Sequence, residues 1–172
     1  ESLVSLSDIQ PQGNNAGFKM GDNSSLSLQN CLIINQNGTG EIENAEDSDD
    51  EPGNLTIKDC TLYNFSPDTV DGSVNISGNV FDMQENGRIK LGVTDYHNDS
   101  PVVFKNNKVI FSKVKSDEEF YMKYAGSIDI RGGTGKIEIT DNILKEGYKL
   151  GVHLRGNPES PSSQRVIIEG NE

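Results

Sequence analysis

Three short glycine-rich segments each place one ionisable residue between two apolar ones. Lys90 lies in GRIKLG, Asp129 in GSIDIRG and His153 in GVHLRG. If the segments are neighbouring strands of one sheet, alternate residues face opposite sides, so these three residues would face outward in one column while their apolar neighbours face a core. An imidazole titrates near neutral pH and can serve as an acid or a base. Lys90, Asp129 and His153 are therefore the candidate catalytic residues.

Arginines accompany these residues within the same segments. One arginine stands two residues before the first of them, and two more stand two residues after the others. Planar guanidinium groups bind carboxylates through paired hydrogen bonds, and an aspartate accepts hydrogen bonds from sugar hydroxyls. The pattern is typical of a surface that holds a sugar chain, and the alternative is a set of ordinary solvated residues. The candidate ligand-binding residues are Arg88, Lys90, Asp129, Arg131, His153 and Arg155.

An acidic segment lies between Glu41 and Glu51 and carries seven carboxylates. Hard cations such as Ca²⁺ take several oxygen ligands from a flexible loop, although the spacing here differs from that of a helix-flanked calcium loop. The alternative is a solvated acidic loop. We expect no cofactor other than Ca²⁺. The candidate metal ligands are Glu46, Asp47, Asp49 and Asp50.

The elements that must position these residues are indicated by a six-residue phrase that recurs along the chain. The phrase reads apolar, any, apolar, any, a small polar residue or glycine, then Asn or Cys. Its copies begin 19 to 35 residues apart, which excludes a two-helix repeat of fixed period and favours a coil of short strands joined by variable loops. A weaker copy opens the chain with Val4 and Leu6. The first apolar positions of the six clear copies are Leu26, Leu55, Val74, Val102, Ile137 and Val166.

The last two positions of the phrase predict a sharp bend and a ladder. The fifth position holds Asn30, Asp59, Gly78, Asn106, Asp141 and Gly170, residue types that tolerate a left-handed backbone. The sixth holds Cys31, Cys60, Asn79, Asn107, Asn142 and Asn171, and the side-chain amides of the asparagines would bond along the axis of the coil. We expect the two cysteines to be stacked buried thiols, with a disulfide as the alternative. Each turn of the coil would carry at least two strands, because the glycine-rich segments supply a second one.

The asparagine column and the apolar alternation resemble those of the right-handed parallel β-helix proteins of the pectate-lyase-like superfamily, from Val4 to Asn171. The resemblance implies an all-β fold, a right-handed single-stranded parallel β-helix of about six to seven coils with an Asn/Cys ladder. This superfamily contains polysaccharide lyases, glycoside hydrolases, adhesins and phage tail proteins, so the fold does not choose the function. Arg88-Ile89-Lys90 matches the RIK triplet of its polygalacturonase-like hydrolases, but no NTD or GHG triplet occurs.

Length and charge restrict the organisation and the partners. The chain has 172 residues, 33% of them hydrophobic, and a net charge of −12. We expect one β-helix domain over 1–172, cut from a longer chain, with an acidic loop insertion at 38–53 and a long coil insertion at 112–126. The negative charge disfavours nucleic acid, and no apolar run is long enough for membrane insertion. End-to-end contacts with further β-helix coils, or self-association, fit the uncapped ends that we expect.

Two functions of different class follow. The first is a non-catalytic secreted or cell-surface module that binds glycans or has an adhesive or structural role. The alternative is a fragment of a polysaccharide lyase or glycoside hydrolase with its chemistry at Lys90, Asp129 and His153. The resemblance implies an extracellular or cell-surface location and a polysaccharide or cell-surface glycan as the partner.

Overall fold

Short parallel strands and the turns between them make up the described part of the protein. The computed structural model describes residues 2–7, 12–13, 17–20, 24–36, 40–44, 53–69, 72–83, 88–92, 101–110, 127–131, 135–145, 152–155 and 165–172. No helix occurs in these ranges. The strands are β1 (Ser2–Ser7), β2 (Gln12–Gly13), β3 (Phe18–Met20), β4 (Ser24–Gln29), β5 (Leu32–Asn35), β6 (Gly40–Asn44), β7 (Asn54–Lys58), β8 (Thr61–Tyr63), β9 (Phe65–Thr69), β10 (Val74–Ser77), β11 (Val80–Asp82), β12 (Arg88–Gly92), β13 (Val102–Lys105), β14 (Lys108–Ile110), β15 (Ser127–Arg131), β16 (Ile137–Thr140), β17 (Ile143–Lys145), β18 (Val152–Arg155) and β19 (Val166–Glu169).

The strands form three parallel sheets. The first sheet has the order β1-β4-β7-β10-β13-β16-β19, the second β17-β14-β11-β8-β5-β2 and the third β18-β15-β12-β9-β6-β3. In every sheet a strand pairs with the strand three positions further along the chain. The connection between two paired strands therefore passes through the other two sheets, an arrangement compatible with a β-helix.

The first sheet contains the recurring phrase, and its predicted register is confirmed. Val74 pairs with Val102 and Ile76 with Phe104, and the same columns continue from β1 to β19. Alternate residues of each strand face the core. The second apolar column is fully buried from β4 to β16, at Leu28, Ile57, Ile76, Phe104 and Ile139.

The predicted bend follows each strand of the first sheet. All six residues at the fifth position of the phrase have a positive φ, between 53° and 72°. Asn64, in the bend that follows β8 of the second sheet, has a φ of 49°. Gly78 shows why glycine serves here, because a Cβ on it would lie 2.4 Å from Oδ1 of Asp59 in the neighbouring strand's bend. The bend turns the chain into the second sheet within two residues, so the sixth position points into the core.

The asparagine ladder is confirmed at that sixth position. Asn79, Asn107 and Asn142 are buried. The side-chain oxygen of Asn107 accepts hydrogen bonds from the backbone N–H and the Nδ2 of Asn79, at 2.9 and 3.0 Å. Its own Nδ2 donates to the carbonyl of Ile76 at 3.0 Å and to Oδ1 of Asn142 at 3.1 Å. Asn142 bonds to Asn171 in the same way, so each amide satisfies the backbone of the bend next to it.

A second pair of asparagines lies where the strands β5 and β8 of the second sheet end, and this pair was not predicted from the sequence. Asn35 and Asn64 are buried and donate from Nδ2 to each other's carbonyl oxygen at 3.3 Å. They occur in the two repeats whose first ladder position is Cys31 or Cys60. The signal in the sequence was an asparagine four residues after each cysteine.

The third sheet contains more strands than the sequence predicted. The three glycine-rich segments form β12, β15 and β18 as expected, and β9, β6 and β3 continue the same sheet beyond β12. Residues 40–44, predicted as part of an acidic loop over 38–53, form β6, with a register irregularity between Ile42 and Glu43. The predicted insertion at 112–126, and residues 38–39 and 45–52, lie outside the described residues. Each repeat from β1 to β18 thus supplies three strands.

Candidate functional site

The third sheet brings the predicted charged residues into one row. Lys90 of β12 is the Cα partner of Asp129 in β15, and Asp129 is the partner of His153 in β18. We call these three residues the charged row. Strands of one sheet lie about 4.8 Å apart, so the row crosses the sheet at right angles to its strands. The predicted register of these segments is confirmed, whereas the side chains of the three residues lie outside the described part of the structure.

Buried residues hold this register in place. Ile89 and Leu91 flank Lys90 in the core, and Ile128 is buried beside Asp129. Val152, next to His153, packs partly against the same core. A slip by one residue would move every apolar residue of a strand out of the core, so burial specifies the row.

The arginines form two neighbouring rows on the same strands. Arg131 of β15 pairs with Arg155 of β18, two residues beyond the charged row, whereas Arg88 pairs with Ser127 two residues before it. Positions two residues apart on a strand share a face. The six predicted ligand-binding residues therefore occupy one face of three adjacent strands.

Sequence reasoning missed how far the row of Arg131 extends. Its members across the six strands, in order, are Lys19, Glu43, Thr69, Gly92, Arg131 and Arg155. The two arginines lie at one end of this row, and Gly92 separates them from the residues of β9, β6 and β3. Because β6 and β9 were not predicted as strands, the sequence could not place Glu43 or Thr69 in it.

The predicted calcium ligands lie outside the described residues. Glu46, Asp47, Asp49 and Asp50 all fall in 45–52. Two further carboxylates of the acidic segment, Glu41 and Glu43, are in β6. The described ranges contain no cluster of three or more His, Cys, Asp or Glu residues able to hold a metal ion.

The other reactive groups of the described core are the two thiols. Cys31 and Cys60 are buried and free, so the prediction of stacked thiols is confirmed. The backbone N–H of Cys31 lies 3.4 Å from Sγ of Cys60, and the N–H of Cys60 donates to Oδ1 of Asn79 at 2.8 Å. The two cysteines thus extend the ladder with sulfur in place of the amide.

Burial raises the pKa of the Cys60 thiol to about 11, and the neighbouring Cys31 thiol adds to the effect. The folded protein therefore holds the Cys60 proton at pH values where the unfolded chain has lost it. This contribution to stability is complete below about pH 9, the ordinary pKa of the thiol, and is lost as the pH rises to about 11. We expect the free energy of unfolding to fall by about 2–3 kcal/mol more in the native protein than in Cys60→Ala between these pH values. Urea titrations of both proteins at pH 8 and pH 11 test this, because the two proteins differ in no other titratable side chain. Equal losses of unfolding free energy would contradict it.

The outer face of the first sheet carries polar side chains of its own. Asn54 accepts a hydrogen bond from Oγ of Ser73 at 2.6 Å, and Lys136 donates to Glu138 at 2.6 Å. The Lys136 ammonium lowers the pKa of the Glu138 carboxyl. These groups pair with one another on that face.

Comparisons with protein-family models, with curated proteins and with solved structures found no match. In the described ranges there is no helix of the length and apolar character that a membrane span requires.

Proposed function

We propose that the three sheets are the faces of a right-handed parallel β-helix of about six to seven coils, with the Asn/Cys ladder at one corner. The pairing of each strand with the one three positions along the chain supports this proposal. Parallel strands connected through a crossover take the right-handed path in almost all proteins, because the strand twist permits it best. The resemblance to the pectate-lyase-like superfamily supports the same geometry.

We propose further that the chain is a non-catalytic module that binds an acidic polysaccharide along the outer face of the third sheet. The observation that carries this proposal is the register of β12, β15 and β18. It aligns Arg131 with Arg155 and places Lys90 two residues away on the same face. Guanidinium pairs at this spacing suit carboxylate or sulfate groups that repeat along a sugar chain.

The basic residues of the third sheet are concentrated on one face of a protein whose net charge is negative. The chain has a net charge of −12 and 15 basic residues, of which four occupy one face of three adjacent strands. A local excess of cations on an acidic protein attracts an anion to that place and repels it elsewhere, which favours binding in one register. Acidic polysaccharides are components of cell surfaces and extracellular matrices, so we propose an extracellular or cell-surface location.

An enzyme remains the second candidate because of one observation. Asp129 and His153 are Cα partners in adjacent strands, close enough for a carboxylate and an imidazole to serve one bound sugar as acid and base. Such an enzyme would be a polysaccharide lyase or a glycoside hydrolase. The absence of the NTD and GHG triplets in the sequence favours the binding module.

Affinity electrophoresis in gels that contain polygalacturonate, heparin or neutral dextran tests the binding proposal. We expect the acidic polymers, and not dextran, to retard the protein. The double variant Arg131→Ala/Arg155→Ala is expected to lower the affinity for the acidic polymers at least about tenfold, because the paired guanidinium contacts are lost. Lys105→Ala/Lys108→Ala is the matched control, since it removes two exposed cations from the other two sheets.

The outcomes separate the two classes of function. Equal weakening by both double variants, or retardation by dextran alone, would contradict binding at the third sheet. Release of unsaturated or reducing sugar ends that disappears in His153→Ala would instead support the enzyme.

A further inference from the structure

Two sulfur atoms lie side by side in the core, at the sixth position of the phrase in two adjacent strands. Cys31 and Cys60 follow β4 and β7, which pair in register, and each cysteine is 2% exposed. The backbone N–H of Cys31 donates to Sγ of Cys60 at 3.4 Å. Equivalent positions of neighbouring strands lie about 4.8 Å apart, so the ladder holds the two thiols at about this spacing.

Sulfur bonds to the backbone less well here than an amide does. The N–H of Cys60 donates to Oδ1 of Asn79 at 2.8 Å, whereas the N–H of Cys31 has a sulfur acceptor at 3.4 Å. The two thiols donate to the carbonyls of Gln29 and Lys58, each at 3.2 Å. A thiol is a weak donor and a weak acceptor. Either sulfur can therefore exchange these contacts for a stronger partner at small cost.

The spacing of the two thiols suits one two-coordinate metal ion. A metal–thiolate bond is about 2.3 Å long, so two bonds in line span about 4.6 Å, close to the spacing of the strands. Soft sulfur ligands select soft ions such as copper(I), whose filled d shell accepts two ligands in a line. Zinc needs about four ligands, and the described ranges contain no group of three or more His, Cys, Asp or Glu residues that could supply them.

Burial decides the charge that such a complex carries. An ion is stable in the core only when its charge is compensated, and copper(I) with one thiolate and one thiol is neutral. Cys60 supplies the thiolate, because the N–H of Cys31 donates to its sulfur. Cys31 binds through a sulfur lone pair and keeps its proton. Binding thus breaks one S–H bond, forms two sulfur–copper bonds and releases one proton to the solvent.

We propose that Cys31 and Cys60 form a buried two-sulfur site for one soft monovalent metal ion, copper(I). The ladder supplies the geometry, because pairing of β4 with β7 fixes both cysteines in one column. The ion enters during folding or when the bend opens locally, since both sulfur atoms are buried. The site lies at the corner between the first and second sheets, so it does not depend on glycan binding at the third.

Refolding the whole chain from urea with copper(I), supplied as its bicinchoninate complex without oxygen, tests the site with the thiols accessible. Excess bicinchoninate removes weakly held copper. We expect native mass spectrometry to show one copper ion bound and one proton lost. X-ray absorption of the loaded protein is expected to show two sulfur neighbours at about 2.3 Å. The same refolding with zinc(II) should leave no zinc bound.

Cys60→Asn is the decisive variant, because it places at this position the residue type that the ladder carries at Asn79. It should fold, as circular dichroism would show, and lower the affinity for copper at least about hundredfold. Cys31→Asn should do the same, since one shared ion needs both sulfur atoms. Met83→Leu is the matched control, because it removes another buried sulfur and should leave the affinity unchanged.

Four results would overturn the proposal. They are a native protein that loses its copper to bicinchoninate, two copper ions per chain, tight binding that survives in either single cysteine variant, and a copper environment with nitrogen or oxygen neighbours. The last measurement uses the native chain, so it decides the matter even where a variant does not fold.

Discussion

Replacing Asn107 with leucine is expected to lower the free energy of unfolding by about 2–4 kcal/mol. The amide accepts two hydrogen bonds from Asn79 and donates to the carbonyl of Ile76 and to Asn142. Leucine leaves the N–H of Asn79 and the carbonyl of Ile76 without these partners in a region that water does not reach. A buried backbone group that loses its partner carries the full desolvation penalty, so several such groups add to a large loss. Urea unfolding followed by circular dichroism measures the change.

Asn171→Leu is the matched control, because it removes an amide from the same column beside β19, the last strand in the order of the first sheet. Asn171 is only half-buried, so water can replace its hydrogen bonds and we expect a loss of about 1 kcal/mol or less. Equal losses for Asn107→Leu and Asn171→Leu would contradict the role of burial in the ladder.

Replacing Phe104 with alanine is expected to lower the free energy of unfolding by about 3–5 kcal/mol. Phe104 is fully buried in the second apolar column of the first sheet. Its ring lies 5.9 Å from that of Phe81, which belongs to the second sheet. The alanine removes this contact and leaves a cavity that a narrow core between rigid sheets cannot close. Urea unfolding of the variant measures the loss.

Val103→Ala provides the comparison on the same strand. Val103 faces outward from β13 and is half-buried, so its truncation creates no closed cavity and we expect a loss of about 1 kcal/mol or less. A loss for Phe104→Ala no greater than that for Val103→Ala would show that the column of β13 does not form the core.

The phrase of the first sheet was predictable because its information is local. Apolar residues at alternate positions, followed by a residue that tolerates positive φ, describe a strand and its bend without reference to other parts of the chain. Asn30 and Gly170 illustrate this, since both have positive φ in the positions that the phrase indicates. The sixth residue then must point inward, so the ladder of Asn79, Asn107 and Asn142 followed from the phrase as well.

The strands β6 and β9 were not predictable in the same way. GEIEN has one apolar residue, Ile42, between two glutamates, and FSPDT contains Pro67. Neither segment shows the apolar pair of the other third-sheet strands, and both become strands because neighbours on either side supply backbone partners. Asn35 and Asn64 were missed for a related reason, since two copies of a residue make a poor repeat signal.

The candidate site, like the fold, was predictable only in part. Lys90, Asp129 and His153 could be chosen from the sequence, because each stands between two apolar residues that predict its face. Their alignment in one row follows from matching those apolar pairs from strand to strand, and the pairing of β12, β15 and β18 confirms it. The sequence by itself determined which residues alternate between core and surface and where the chain bends, because periodicity and backbone preference are local properties. Only the tertiary structure decided that β6 and β9 join the third sheet, and therefore that Glu43 and Thr69 continue the row of Arg131, because that depends on burying all the apolar columns and closing the hydrogen bonds of three sheets together.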